Sequence, residues 1–323
     1  VVRDELNLAL KPYGLFFSPE TSTSNRCQIG GMIGNNSCGT HSLIYGSTRH
    51  HLLEADVLLT DGTEEHLAEY TIAELEQRFG QQFWTNPHPH SERLPHSELV
   101  SGTIDYVSGY LIRQIYSQLI NFALNPDTVQ LIEQSYPDKS LKRRSCGYAI
   151  DEVIADLHNE AKPLKDRTIN LCRLLAGSEG TLAILIRAKL SLDPLPPQYQ
   201  MVVCAHCKTL DGAFVANLTA LKNNPTAIEL MDGEILELSK TVPSVERFFV
   251  KGDPAALLMV ELKSESKRDL DLRAELLEKK LLETGQITLC TRVYGQDVQK
   301  VWNLRKAGVG ILANMKGDAK PTG

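Results

Sequence analysis

A chain of 323 residues, 42% hydrophobic and 23% charged, holds enough apolar material for two sizeable cores and reads as globular rather than disordered. Its net charge of −6 and scattered basic residues argue against a nucleic-acid surface, and Lys142-Arg143-Arg144 is long enough only for a local anion contact. No apolar run approaches the ~20 residues of a membrane-spanning helix, and the charged start Val1-Val2-Arg3-Asp4-Glu5 carries no secretion signal.

In chain order, Val1 to about Lys11 is predicted helical, with Val2, Leu6, Ala9 and Leu10 on an apolar side. Residues 13–63 hold short strands, including Ala55–Thr60 before the Asp61-Gly62 turn, and a glycine-rich window, Cys27-Gln28-Ile29-Gly30-Gly31-Met32-Ile33-Gly34-Asn35-Asn36-Ser37-Cys38-Gly39-Thr40. Glycine and asparagine tolerate positive φ, and glycine lets main-chain N–H groups approach a ligand. The window is therefore expected either to cradle an anionic cofactor through its backbone or to be a tight turn. It lacks the Gly-Lys-Ser/Thr of a nucleotide P-loop and the spacing of a dinucleotide fingerprint. Residues 72–166 read as mainly helical, as in Thr128–Gln134 and Ile150–Leu157. Strands return over 167–193 around a second glycine cluster, Gly177-Ser178-Glu179-Gly180-Thr181-Leu182-Ala183-Ile184.

Pro194-Leu195-Pro196-Pro197 then marks a boundary, because proline continues neither helix nor ladder. Beyond it the pattern gives a strand (200–207), a helix (211–223), a strand (227–231), a strand (255–261), a helix (265–283) and a strand (286–291). That order is the ferredoxin-like one.

Four motifs, in order, carry a resemblance. They are Pro19, Ser22, Cys27-Gln28-Ile29-Gly30-Gly31, Asn36 and Gly39; Tyr45-Gly46-Ser47-Thr48-Arg49; a strand ending at Asp61-Gly62; and Gly177-Ser178-Glu179-Gly180-Thr181-Leu182. Together they resemble the vanillyl-alcohol-oxidase type of FAD-linked flavoproteins, in the branch of D-lactate, glycolate and D-2-hydroxyglutarate dehydrogenases. Gln28 and Ala183 depart from the family's usual Thr and Gly, and Ser145-Cys146 departs from its Asn-Thr. The resemblance implies an α+β fold: residues 1–193 as the second half of a PCMH-type FAD-binding domain, an antiparallel sheet with helices and a helical insertion at about 72–166, followed by a ferredoxin-like substrate-cap domain over 194–323. It implies FAD contacts from Ser22, Ser24, Cys27, Ile29, Gly30, Gly31, Asn35, Asn36, Gly39, Thr40, Glu179, Gly180 and Ile184.

Glu229-Leu230-Met231-Asp232 resembles the cap domain's E-x-M-D, and Trp302-Asn303-Leu304-Arg305 its W-x-L-R. By resemblance, Arg305 binds the carboxylate of a 2-hydroxy acid, a match for a planar guanidinium, and Lys320 meets a substrate carboxylate too. The reaction implied is oxidation of a D-2-hydroxy acid, such as D-2-hydroxyglutarate or D-lactate, to the 2-oxo acid by hydride transfer to flavin. The catalytic base, a histidine in the family, the divalent metal site and the first pyrophosphate loop are expected outside this chain, which reads as a central fragment without turnover of its own. The closest wording is that of large bacterial proteins fused to an iron–sulfur domain, which would take the electrons. The acceptor itself and assembly into a homo-oligomer stay open. A flavoenzyme acting on a different alcohol and a non-catalytic FAD-fold module are the alternatives.

The seven cysteines, odd in number and scattered, suit reduced thiols in a cytoplasmic protein. Cys204-Ala205-His206-Cys207 has metal or redox spacing but lies in a strand pattern, so core cysteines are the expectation. His88, His90 and His96 fall in a Pro-rich stretch and are expected in a solvated loop.

Overall fold

A computed structural model describes residues 1–84, 109–138, 141, 144 and 147–313. They separate into two compact units: Val1–Cys38 with Gly46–Asp193, and Gly39–Tyr45 with the chain from Pro194 onward.

In the first unit, α1 (Arg3–Leu10) is helical as its pattern predicts, but its buried side chain is a cation rather than the apolar side. Arg3 donates from Nε to the carbonyl of Pro19 (2.7 Å) and from Nη2 to that of Phe17 (3.2 Å), whereas Ala9 is exposed. Half of the glycine-rich window is neither loop nor turn: Ile29–Asn35 forms a helix, α2, with Met32 and Ile33 buried. Asn36 ends it in the left-handed region (φ 51°), where its N–H closes on the carbonyls of Met32 and Ile33. Glycine's helical cost is offset here by the burial of Met32 and Ile33.

After α3 (Thr48–His51) comes the central strand β1 (Leu52–Leu58), which pairs antiparallel with β2 (Glu64–Leu67). A further pair joins β3 (Glu69–Thr71) to a later strand. Thr71 then caps α4 (Ile72–Phe79) in a capping box, Glu74 N–H donating to Thr71 Oγ1 at 3.2 Å. The helical stretch supplies α5 (Tyr110–Leu124), α6 (Pro126–Ser135) and α7 (Ile150–Ala155). Strand β4 (Thr168–Asn170) is β3's partner, and α8 (Cys172–Leu175) leads to the second glycine cluster. Strand β5 (Ile184–Leu190) completes the order β2–β1–β5. One core serves the whole unit: Val57 and Leu67 from the sheet meet Ile72, Leu75, Ile112, Tyr116, Ile120 and Val153 from the helices.

The second unit contains β6 (Tyr199–Cys207), α9 (Leu210–Leu221), β7 (Ala227–Asp232), α10 (Gly233–Leu238), β8 (Ala256–Ser264), α11 (Lys267–Glu283), β9 (Ile287–Tyr294) and α12 (Val298–Ala313). The strand order β9–β6–β8–β7, with every pairing antiparallel, is the ferredoxin-like order predicted. Side chains alternate strictly along β6. Met201, Val203, Ala205 and Cys207 pack under α9 and α11, and Val202 and Cys204 face Leu236, Val298, Val301 and Leu304 of α10 and α12. A strand covered on both faces is apolar throughout, which explains the run Met-Val-Val-Cys-Ala-His-Cys.

That alternation resolves the C-x-x-C spacing. Cys204 and Cys207 point to opposite sides of the sheet and cannot share a metal. Burial pushes their thiols up to about 12 and about 11, so neither is a thiolate near neutral pH. His206 is fully buried and held neutral by that burial, its Nε2 accepting from the Lys251 N–H at 2.8 Å. No group of three potential metal ligands comes together among the described residues. His88, His90 and His96 lie outside them. No described helix is long and apolar enough to cross a membrane.

Candidate functional site

Two clusters of the expected site residues form, one in each unit. In the first unit the two glycine motifs, more than 140 positions apart, meet. Gly177 N–H donates to the Ile33 carbonyl and Glu179 N–H to that of Gly34, both at 2.9 Å, so the turn at 177–180 is stitched to α2. Asn35 Nδ2 donates to Glu179 Oε1 at 2.9 Å. Gly177 (φ 90°) and Gly180 (φ 76°) take conformations that side chains disfavour. At Gly177 there is also no room: a Cβ would stand 2.8 Å from Arg49 Nη2 and 3.3 Å from the Asn36 Cβ.

Arg49, from Tyr-Gly-Ser-Thr-Arg, clasps this junction. It is 3% exposed and donates from Nε to the Arg173 carbonyl (2.9 Å) and from Nη2 to the Ala176 carbonyl (2.8 Å). Burial pulls its pKa down, while the nearby Glu152 and Asp151 carboxylates oppose that shift. Its own N–H donates to Asn36 Oδ1 at 2.9 Å, which fixes the orientation of that amide. Asn36 Nδ2 is consequently a buried donor with no partner.

This is where a flavin nucleotide can be tested against the residues present. Gly30 and Gly31 are exposed, with no atom within 4 Å of where a Cβ would stand, so a ligand can reach their main chain. An orphaned buried donor at Asn36 is the kind of group that a ligand oxygen completes. The residues fit. Glu179, Gly180 and Ile184 are likewise exposed beside them, Ile184 heading β5.

The remaining expected contacts are placed differently. Ser22 is exposed in the turn between α1 and α2. Ser24 donates from Oγ to Asp4 Oδ2 (3.1 Å), and the Cys27 carbonyl accepts from the Arg3 N–H (3.0 Å), so both also hold α1. Gly39 and Thr40 fold with the second unit.

In that unit the two cap motifs meet. Arg305 on α12 donates from Nη2 to Glu229 Oε1 (3.3 Å), and its Nε lies 3.1 Å from Glu229 Oε2 as an ion pair, so both contacts fall on one edge of the guanidinium. No described residue bonds to Nη1, so the other edge is left for a second anion. The rest of Glu229-Leu-Met-Asp is structural: Met231 packs against α10 and α12, and Asp232 caps α10 by accepting from the Ile235 N–H at 2.8 Å. Lys320 lies outside the described residues, as do Arg143, Ser145 and Cys146.

One helical turn before Arg305, Trp302 reaches a carboxylate that sequence reading passed over. Glu261, on β8, is 1% exposed. Its Oε2 accepts from His41 Nε2 (2.6 Å) and Thr226 Oγ1 (2.6 Å) and lies 3.2 Å from Lys263 Nζ, while Oε1 accepts from Trp302 Nε1 (3.3 Å). The signal available was a glutamate inside the apolar run Ala-Leu-Leu-Met-Val-Glu. Burial alone would raise its pKa, but hydrogen bonding and charge from His41, with Lys263 and Thr226, bring it down to about 2 from the ordinary 4.5.

A folded pKa below the unfolded one stabilises the protein above the unfolded value. That contribution is complete above pH 4.5 and is lost as pH falls toward 2. Thermal melts over this window should show the loss, and Glu261→Gln should flatten the profile there. An unchanged slope in the variant would remove Glu261 from the account.

Comparison with known proteins finds two domain matches along the chain. Residues 1–68 match the FAD binding domain, and residues 196–323 match the C-terminal domain of FAD linked oxidases. The chain belongs to the FAD-linked oxidase family of flavoproteins. Among its relatives are the D-2-hydroxyglutarate dehydrogenases of Pantoea ananatis (strain AJ13355), 30% identical, and of Escherichia coli (strain K12), 28% identical, each aligned over 99% of this chain and 29% of its own length. Glycolate oxidase subunit GlcD of Escherichia coli (strain K12) is 39% identical over 57 residues, 18% of this chain and 11% of its own. The chain thus spans under a third of the length of the curated dehydrogenases it matches. Among solved structures, alkyldihydroxyacetonephosphate synthase superposes with a TM-score of 0.52 at 14% identity, over 96% of this chain and 42% of that one, a likeness of fold.

Proposed function

We propose that this chain is the central part of an FAD-dependent dehydrogenase that oxidises a D-2-hydroxy acid, of the D-2-hydroxyglutarate or D-lactate kind, to the 2-oxo acid. The observation that carries the reading is Arg305, half-buried and fixed along one edge by Glu229 with its other edge unengaged. That edge matches a carboxylate in both charge and plane.

Gly30, Gly31, Asn35, Asn36, Glu179 and Gly180 would hold the FAD, with Ser22, Ser24, Cys27, Ile29, Gly39, Thr40 and Ile184 as further contacts. When bound, FAD supplies an acceptor for the hydride from the substrate's Cα. Arg305 holds the substrate carboxylate, Glu229 holds the guanidinium, and Lys320 takes a carboxylate oxygen. The hydroxyl proton would pass to a base that the reading places outside this chain. An iron–sulfur domain or another acceptor would take the electrons, in a cytoplasmic enzyme, and a divalent metal would bind outside this chain.

The full-length protein and this fragment are to be compared by absorbance, then mixed anaerobically with D-2-hydroxyglutarate. A yellow full-length protein that bleaches on addition, beside a fragment without turnover, is the result expected. A full-length protein that binds no flavin would overturn the reading in favour of a non-catalytic module.

A further inference from the structure

Glu261 gathers partners from four places in the second unit. Thr226 precedes β7, Lys263 lies two residues along β8, Trp302 is on α12, and His41 is in the segment Gly39–Tyr45 that joins this unit from far upstream in sequence. The nitrogen His41 Nε2 is within reach of both Glu261 (2.6 Å) and Lys263 Nζ (3.1 Å). A protonated nitrogen cannot also accept, so with its proton directed at the closer carboxylate, Lys263 faces Glu261 as a neighbouring charge 3.2 Å away.

Such a carboxylate is an expensive way to fill a core. Taking a carboxylate out of water is unfavourable until its partners offset the loss, and apolar side chains of similar volume would often pack as stably. What the four partners gain is a shared, directional origin. Trp302 precedes Arg305 by three positions, about one helical turn, on the same side of α12. His41 directly follows Thr40.

We infer that Glu261 is a positioning residue, which sets the Gly39–Tyr45 segment and the Trp302–Arg305 face of α12 in one register. The main chain of Gly39 and Thr40 and the guanidinium of Arg305 are thereby fixed by a single carboxylate. What those two ends do, holding FAD and holding the substrate carboxylate, rests on the proposed function; that they are fixed together does not.

The test uses the full-length protein with Glu261→Gln, His41→Gln and the double variant. Hydrogen exchange of peptides spanning 39–45 and 298–305 reads the register, and anaerobic reduction of the flavin by D-2-hydroxyglutarate in rapid mixing reads its effect. Glu261→Gln should speed exchange in both peptides about tenfold or more and slow the limiting reduction about tenfold, at unchanged flavin content. His41→Gln should reproduce the slower reduction and the loosening of 39–45, and the double variant should add little, because coupled partners are not additive. Exchange that changes only along β8, a reduction rate equal to wild type, or fully additive effects would each overturn the inference. Should Glu261→Gln fail to fold, His41→Gln with Trp302→Phe carries the test from the two ends. If wild-type flavin is not reduced by any D-2-hydroxy acid, the proposed function falls, and the exchange result still decides the positioning role.

Discussion

Arg305→Ala in the full-length protein is expected to raise the KM for a D-2-hydroxy acid by roughly a hundredfold or more while leaving bound flavin in place. The argument is geometric and electrostatic. Hydrogen bonds to a charged group contribute about 1.5–3 kcal/mol each, and a bidentate carboxylate contact makes two. Even 3 kcal/mol is a factor of over 100 in affinity. Arg305→Lys should recover only part of this, since an ammonium presents no fork. Glu229→Gln, by contrast, keeps the guanidinium but weakens its hold, and should cost less than the loss of Arg305 itself. Steady-state kinetics on the three variants checks the order. An Arg305→Ala enzyme with wild-type KM would leave the guanidinium as the surface partner of Glu229 and nothing more.

Arg49→Leu is expected to have the largest effect on stability. Two carbonyls, of Arg173 and Ala176, lose their donors, and Glu152 loses a cation 3.6 Å away. Removing one partner of a buried charged network costs about 3–5 kcal/mol, and for a domain of this size each kcal/mol moves the melting temperature by about 2–4 °C. A fall of roughly 10 °C in the first unit is therefore the expected result, with weakened flavin retention. Arg49→Lys should not rescue it, because one ammonium cannot reach both carbonyls in the plane that the guanidinium spans. Differential scanning calorimetry with a flavin-release assay reads both. A melt within 2 °C of wild type would show that the clasp is dispensable.

How much of this was legible in the sequence depended on whether the signal was periodic or spatial. The second unit's strands and helices could be read because both its sheet faces are covered, giving long apolar strands between amphipathic helices, and the ferredoxin-like order followed from counting them. Arg305 was legible through its motif. The helical state of Ile29–Asn35 was not, because glycines carry no periodicity and their local preference is outweighed by burial of Met32 and Ile33. Arg3 escaped for a related reason: a charged residue followed by Asp4 and Glu5 reads as the wet side of a helix until the carbonyls of Phe17 and Pro19 are placed above it. Arg49 was recognisable as part of Tyr-Gly-Ser-Thr-Arg, but its work on two distant carbonyls was visible only once α8 and α2 were in place. Glu261 is the clearest case. It stood in plain view as an odd residue in a strand, yet its meaning depended on His41, 220 positions away.

That distance has a practical side. Anyone expressing the ferredoxin-like unit alone would naturally begin at the prolines after Asp193, and would discard Gly39–Tyr45 with the rest of the upstream chain. Glu261 would keep its lysine, threonine and tryptophan but lose the histidine at 2.6 Å, and a buried carboxylate short of a donor would destabilise the unit. A linker that restores seven residues to the front of the excised unit would supply the histidine again. The gain in soluble yield from that graft, set against the same graft carrying glutamine at position 41, would measure how much one imidazole contributes to making the unit self-sufficient.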